Sequence, residues 1–140
     1  MKIFSGIIAP ILLFITPFGI SADAAVTDGS TDIMPMFNYI EDAGCTLIIT
    51  ESGKATFTAD ISGDYNDVIM IEIYVKLQKK NGSNWTDIAT NNNVFYDDSG
   101  YCEGTYYLTQ RGTYRAEATF TVYTSTDIET VTLCSSQKTY

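Results

Sequence analysis

The chain has 140 residues, of which 45 % are apolar, 13 % aromatic and 18 % charged, a globular composition that excludes disordered and collagen-like chains. Eight Lys and Arg against 17 Asp and Glu give a net charge of −9, which argues against nucleic acid and anionic lipid as partners. There is no His, so Ser-His-Asp and Cys-His mechanisms are excluded and the commonest metal ligand is missing.

Lys2 and the apolar run Ile3 to Ile20 precede Ala22-Asp23-Ala24, a small-x-small cleavage signal. The run is near the lower length limit of a spanning helix, but Pro10, Pro17 and the polar sequel favour a cleaved signal peptide over 1–24. The expected product is a secreted, extracellular protein that starts near Ala25 and has no membrane span. Residues 25–44 are expected to form an extended lead-in, and 45–140 the folded domain.

From Cys45 the apolar period becomes 2. Cys45, Leu47 and Ile49 alternate with Thr46, Ile48 and Thr50, and Glu51-Ser52-Gly53 turns the chain. Ala55, Phe57, Ala59 and Ile61 form the inner face of a second strand. Val68 to Lys79 is the longest strand, with Ile69, Ile71, Ile73, Val75 and Leu77 inward. Asn81-Gly82 marks a hairpin into Trp85 to Thr90, and Asn91-Asn92-Asn93 and Asp97-Asp98-Ser99-Gly100 are expected loops. Tyr101 to Leu108 follows. Tyr114, Ala116, Ala118, Phe120 and Val122 then alternate with Arg115, Glu117, Thr119 and Thr121, and Ile128 to Cys134 closes the chain. No segment shows a sustained helical period. About seven short strands rich in Thr, Tyr, Ile and Val predict an all-β, antiparallel sandwich. Tyr114 follows Gly112-Thr113 into the penultimate strand, where immunoglobulin-like sandwiches place a tyrosine corner, so it is expected to be buried.

Three stretches carry a resemblance: Leu77-Gln78-Lys79-Lys80-Asn81-Gly82-Ser83-Asn84-Trp85, Gly112-Thr113-Tyr114-Arg115-Ala116 and Glu129-Thr130-Val131-Thr132. With Gly53-Lys54-Ala55, they resemble a family of short secreted proteins of Gram-positive bacteria, a domain of unknown function. The resemblance spans most of Cys45 to Tyr140 and implies an immunoglobulin-like fold and export, with no catalytic or ligand residue to carry over. Members often have Cys where this chain has Phe57.

Cys45, Cys102 and Cys134 are an odd number for an exported chain. Cys45–Cys102 is one candidate disulfide, although a strand normally lies between the first and fifth. The absence of any intramolecular bridge is the other reading. A tight transition-metal site lacks ligands, and no cofactor is implied. Asp64, Asp67, Asp97 and Asp98 could serve calcium if their loops met, but they lack the spacing of a dedicated calcium loop and read as solubilising turn residues. Tyr74, Trp85, Tyr101, Tyr107 and Tyr123 fall on outer phases, where aromatic side chains can serve a glycan or a protein, or simply favour strand. Asn81 and Asn84 match glycosylation acceptors that matter only in a eukaryotic secretory pathway. Glu72, Glu103 and Glu117 are the carboxylates a hydrolase would need, yet their phase is that of solvated outer-face charges. The expectation is a non-catalytic extracellular binding or interaction module, whose partner is an unknown extracellular protein or glycan. A surface-carbohydrate binder and a carboxylate-dependent hydrolase are the alternatives.

Overall fold

The computed structural model describes residues 37–140, so the expected signal peptide and the first part of the lead-in lie outside the described residues. The strands are β1 (Ile40–Ile49), β2 (Lys54–Gly63), β3 (Val68–Asn81), β4 (Asn84–Phe95), β5 (Ser99–Tyr107), β6 (Thr113–Thr124), β7 (Ile128–Cys134) and the short β8 (Lys138–Thr139). One sheet has the order β1-β2-β5, and the other β4-β3-β6-β7, with β8 pairing β6. All pairings are antiparallel. Two facing antiparallel sheets, between which the chain crosses from β2 to β3, from β4 to β5 and from β5 to β6, make this an immunoglobulin-like β-sandwich.

The core forms where the alternating apolar phases meet. Leu47, Phe57, Ala59, Ile61 and Cys102 face Ile71, Ile73, Val75, Leu77, Tyr114, Ala118, Phe120 and Val122, all of them buried. Gly104 pairs directly with Phe57, and a Cβ there would collide with the Phe57 ring. The missing side chain on β5 is therefore what admits the ring. At the β3–β4 hairpin, Gly82 is the first of two loop residues and has φ +64°, as a type II′ turn requires. Tyr114 is 2 % exposed, and its hydroxyl donates to the Gln110 carbonyl at 2.6 Å, which is a tyrosine corner.

Four expectations need correction. β1 begins at Ile40, inside the expected lead-in, and Ile40 is itself buried. Ile69 is 56 % exposed, because a bulge between Val68 and Met70 turns Val68 inward and Ile69 out. Asn91-Asn92-Asn93 are not a loop but part of β4, an edge strand whose side chains meet solvent, so polar residues cost it little there. The Cys45–Cys102 disulfide is not formed, and both thiols are free. Both cysteines pair with Ala59 from opposite sides, so two strand spacings, roughly 9.6 Å, separate them, against a bridging limit of about 7 Å.

Candidate functional site

The pleat and register split the five outer-phase aromatic residues between two opposite faces. Tyr101 and Tyr107 stand on the outer face of β1-β2-β5, in the rows of Asp60 and Lys54. Tyr101 donates to Glu103 Oε2 at 2.6 Å, and that hydrogen bond is the main cause holding its phenol above the usual range. Tyr74, Trp85 and Tyr123 lie on the second sheet. Burial, and then a 3.1 Å hydrogen bond to Glu72, raises the Tyr123 phenol.

Trp85 is already engaged. The Arg115 guanidinium lies 4.3 Å from its ring centroid, and Lys80 lies at 6.0 Å. Arg115 also donates to Gln78 at 2.8 Å and to Glu117 at 3.1 Å. Gln78 donates to Asp87, and Lys76 pairs with both Glu117 and Asp87. Glu117 thereby raises Lys76 above its ordinary range. This ladder of mutually satisfied charges stabilises the turn-side half of the sheet and leaves the indole no free face toward Arg115.

Beyond the ladder the outer face opens. Asn92, Tyr74, Thr119 and Thr132 form one cross-strand row, and Val94, Glu72, Thr121 and Thr130 the next. Between them runs a shallow groove of about 460 Å³, lined by Glu72, Tyr74, Asn92, Thr119 and Thr121 among others. It offers an aromatic edge, an amide, hydroxyls and a carboxylate to one ligand. The three glutamates raised for hydrolysis do not converge. Glu103 is on the other sheet, and Glu72 and Glu117 sit about four residues apart in register, roughly 13 Å at the strand rise. That exceeds the separation of about 6.5–9.5 Å used by inverting glycosidases.

The β2–β3, β4–β5 and β6–β7 loops gather at one end of the sandwich. The Gly63 amide donates to the Asp98 carbonyl at 2.8 Å, so the two loops considered for calcium do meet. Their carboxylates serve their own turns, however. Asp64 accepts from Asn66, and Asp97 from the Asp98 amide. Among the described residues no group of three or more acidic or thiol ligands is poised for a metal ion. The same end carries a feature that strand periodicity does not single out. Tyr65 is 77 % exposed and Tyr96 is 84 % exposed, with Ile69 and Ile128 beside the loops. The signal in the sequence is a large ring set among turn formers, as in Asp64-Tyr65-Asn66 and Tyr96-Asp97-Asp98.

Charge is segregated along the long axis. Among the described residues, Lys54, Lys79, Lys80, Arg111, Arg115 and Lys138 lie at the opposite, turn end, and Lys76 lies toward it. The loop end carries Asp64, Asp67, Asp97, Asp98 and Asp127, and every ion pair formed by the described residues involves Lys76 or Arg115.

No family model and no curated protein matches the chain. Among solved structures, the CARDB domain of the PF1109 protein from Pyrococcus furiosus, crystallised in complex with di-metal ions, superposes with a TM-score of 0.41. The two share 15 % identity over 79 % of this chain and 100 % of that one.

Proposed function

We propose that this protein is an exported, extracellular, non-catalytic interaction module that engages a protein partner through its loop end. One observation carries the reading: Tyr65 and Tyr96 hold their rings 77 and 84 % exposed at the same end, among Asp, Asn and Ser. Tyr presents a large amphipathic surface at low entropic cost, and short polar neighbours supply adaptable hydrogen bonds, which is the composition of sandwich loops that bind proteins. Export, and kinship with the secreted Gram-positive proteins that the Leu77–Trp85 and Gly112–Ala116 motifs resemble, are parts of the same proposal. The test is capture from culture supernatant and cell wall by the chain from Ala25 onward, beside a Tyr65→Ser/Tyr96→Ser variant of equal stability. Loss of one specific protein with the variant supports the reading, and identical capture refutes it.

A glycan-binding reading has its own support in the Tyr74 groove, where hydroxyl, amide and carboxylate groups surround one aromatic side chain. A glycan array separates the two. Binding that Tyr74→Ala abolishes, and that the loop variant keeps, favours the groove over the loop end.

A further inference from the structure

Among the described residues, aromatic rings carry cations at the turn end. The Arg115 guanidinium lies over Trp85 at 4.3 Å from its centroid, and that of Arg111 lies over Tyr140 at 4.2 Å. Arg115 also donates to Glu117 Oε2 at 3.1 Å, so one guanidinium is shared between an aromatic face and a carboxylate. The loop end offers both of these partners without the cation. Tyr65 and Tyr96 are 77 and 84 % exposed, and they stand among carboxylates in Asp64-Tyr65-Asn66-Asp67 and Tyr96-Asp97-Asp98. The two loops are joined by the 2.8 Å bond from the Gly63 amide to the Asp98 carbonyl and by the Ser62–Ser99 pairing behind it. Val68 pairs with Thr124, which sets the turn that holds Asp127 alongside.

None of these aspartates forms an ion pair among the described residues. Asp64, Asp97 and Asp127 each use Oδ1 on an amide of their own turn, and those bonds leave Oδ2 free for another donor. The cations on the strands are out of reach. Lys76 is eight residues along β3 from Val68, roughly 26 Å at the strand rise, and Arg115 pairs with Gln78, farther still.

We propose that the loop end binds an arginine-rich segment of a protein partner, whose guanidinium groups stack on Tyr65 and Tyr96 and pair with the carboxylates beside them. The inference rests on the loop end being the protein-binding surface, and it names the chemistry of the partner. Arginine fits better than lysine, because a planar, weakly hydrated guanidinium can lie on a ring and still donate in its own plane to a carboxylate. The aspartates are spread over three turns, an arrangement suited to successive side chains of an extended segment rather than to one ion. The net charge of −9 adds a long-range attraction that steers a cationic partner toward the molecule.

The test is a titration of fluorescein-labelled nona-arginine and nona-lysine with the purified full chain, read by fluorescence anisotropy. The expected result is saturable binding that weakens with salt and is tighter for nona-arginine. Tyr65→Ser/Tyr96→Ser keeps every charge and should weaken nona-arginine by about fivefold to thirtyfold, the worth of two exposed cation–π contacts. Asp67→Asn/Asp98→Asn should weaken both peptides. Glu51→Gln/Glu103→Gln removes the same charge away from the loop end and should weaken them far less. Matching melting temperatures show that each variant keeps the fold. Absence of binding, equal losses in the two charge variants, or a ring variant that binds nona-arginine as tightly as the parent would overturn the proposal. A protein captured through Tyr65 and Tyr96 that nona-arginine does not displace would overturn the cationic partner and leave the loop-end reading standing. Capture that the ring variant leaves unchanged refutes that reading itself, so the two failures are distinct results.

Discussion

Removing the Tyr114 hydroxyl tests the tyrosine corner on its own. Tyr114→Phe keeps a ring that is 2 % exposed and deletes only the 2.6 Å bond to the Gln110 carbonyl. That carbonyl belongs to the connection between β5 and β6, at the protein surface, and water can replace the lost donor. The cost should therefore be close to the net worth of one hydrogen bond, about 1 kcal/mol. Tyr114→Ala also removes the ring from among the fully buried side chains and should cost about 3–5 kcal/mol through the cavity. For a domain of this size each kcal/mol is worth about 4–8 °C, so the two variants should be well separated on melting. Urea unfolding can be followed by the single tryptophan, Trp85, which leaves its Arg115 contact when the chain opens. Burial, then Tyr106 and Tyr140, raise the Tyr114 phenol above its ordinary value. The folded state thus favours the neutral phenol. The associated stability is complete below about pH 10, where the unfolded tyrosine ionises, and it is lost as pH rises from there through the folded value. Tyr114→Phe should remove that part of the alkaline loss. A Phe variant as stable as the parent would show that the corner bond contributes nothing. A Phe variant as damaged as the Ala variant would show that the hydroxyl's role extends beyond this one bond.

Gly104→Ala should destabilise by roughly 1–3 kcal/mol, since its methyl meets the Phe57 ring, and Phe57→Leu in the same chain should recover part of that loss, as read by urea unfolding. Millimolar calcium should leave the melting temperature unchanged relative to chelator, because Asp64 and Asp97 serve their own turns. A shift of several degrees that Asp97→Asn removes would contradict this. Mass spectrometry of exported material should give an N-terminus near Ala25, and a full-length, membrane-retained product would refute the leader.

Period-2 alternation carried most of the fold because a half-buried strand has no other way to satisfy both faces. Ala55 to Ile61, Ile71 to Leu77 and Tyr114 to Val122 all bury the phase their apolar residues mark. It failed at Ile69, where a bulge shifts the phase by one residue and leaves no trace in composition. It also failed at Asn91 to Asn93, whose polarity suits an edge strand as well as a loop. The outer phase of Tyr74 was legible for the same reason. Trp85 looked equally available, because the Arg115 that covers it lies 30 residues away in the chain and arrives only through sheet pairing. Alternation describes strands and carries no signal for Tyr65 and Tyr96, whose rings stand on loops joined by the backbone bond between Gly63 and Asp98.

The separation of cations from loop carboxylates gives the molecule a permanent electric dipole along its length. Net negative charge pushes the whole molecule away from any polyanionic layer. Within about a Debye length, 8 Å at physiological salt, the dipole also exerts a torque. The end with Lys54, Lys79, Lys80, Arg111 and Lys138 turns toward such a layer, and Tyr65 and Tyr96 point into free solution. Molecules that approach a like-charged boundary are thus pre-oriented by their own field, with the aromatic loops facing whatever diffuses past.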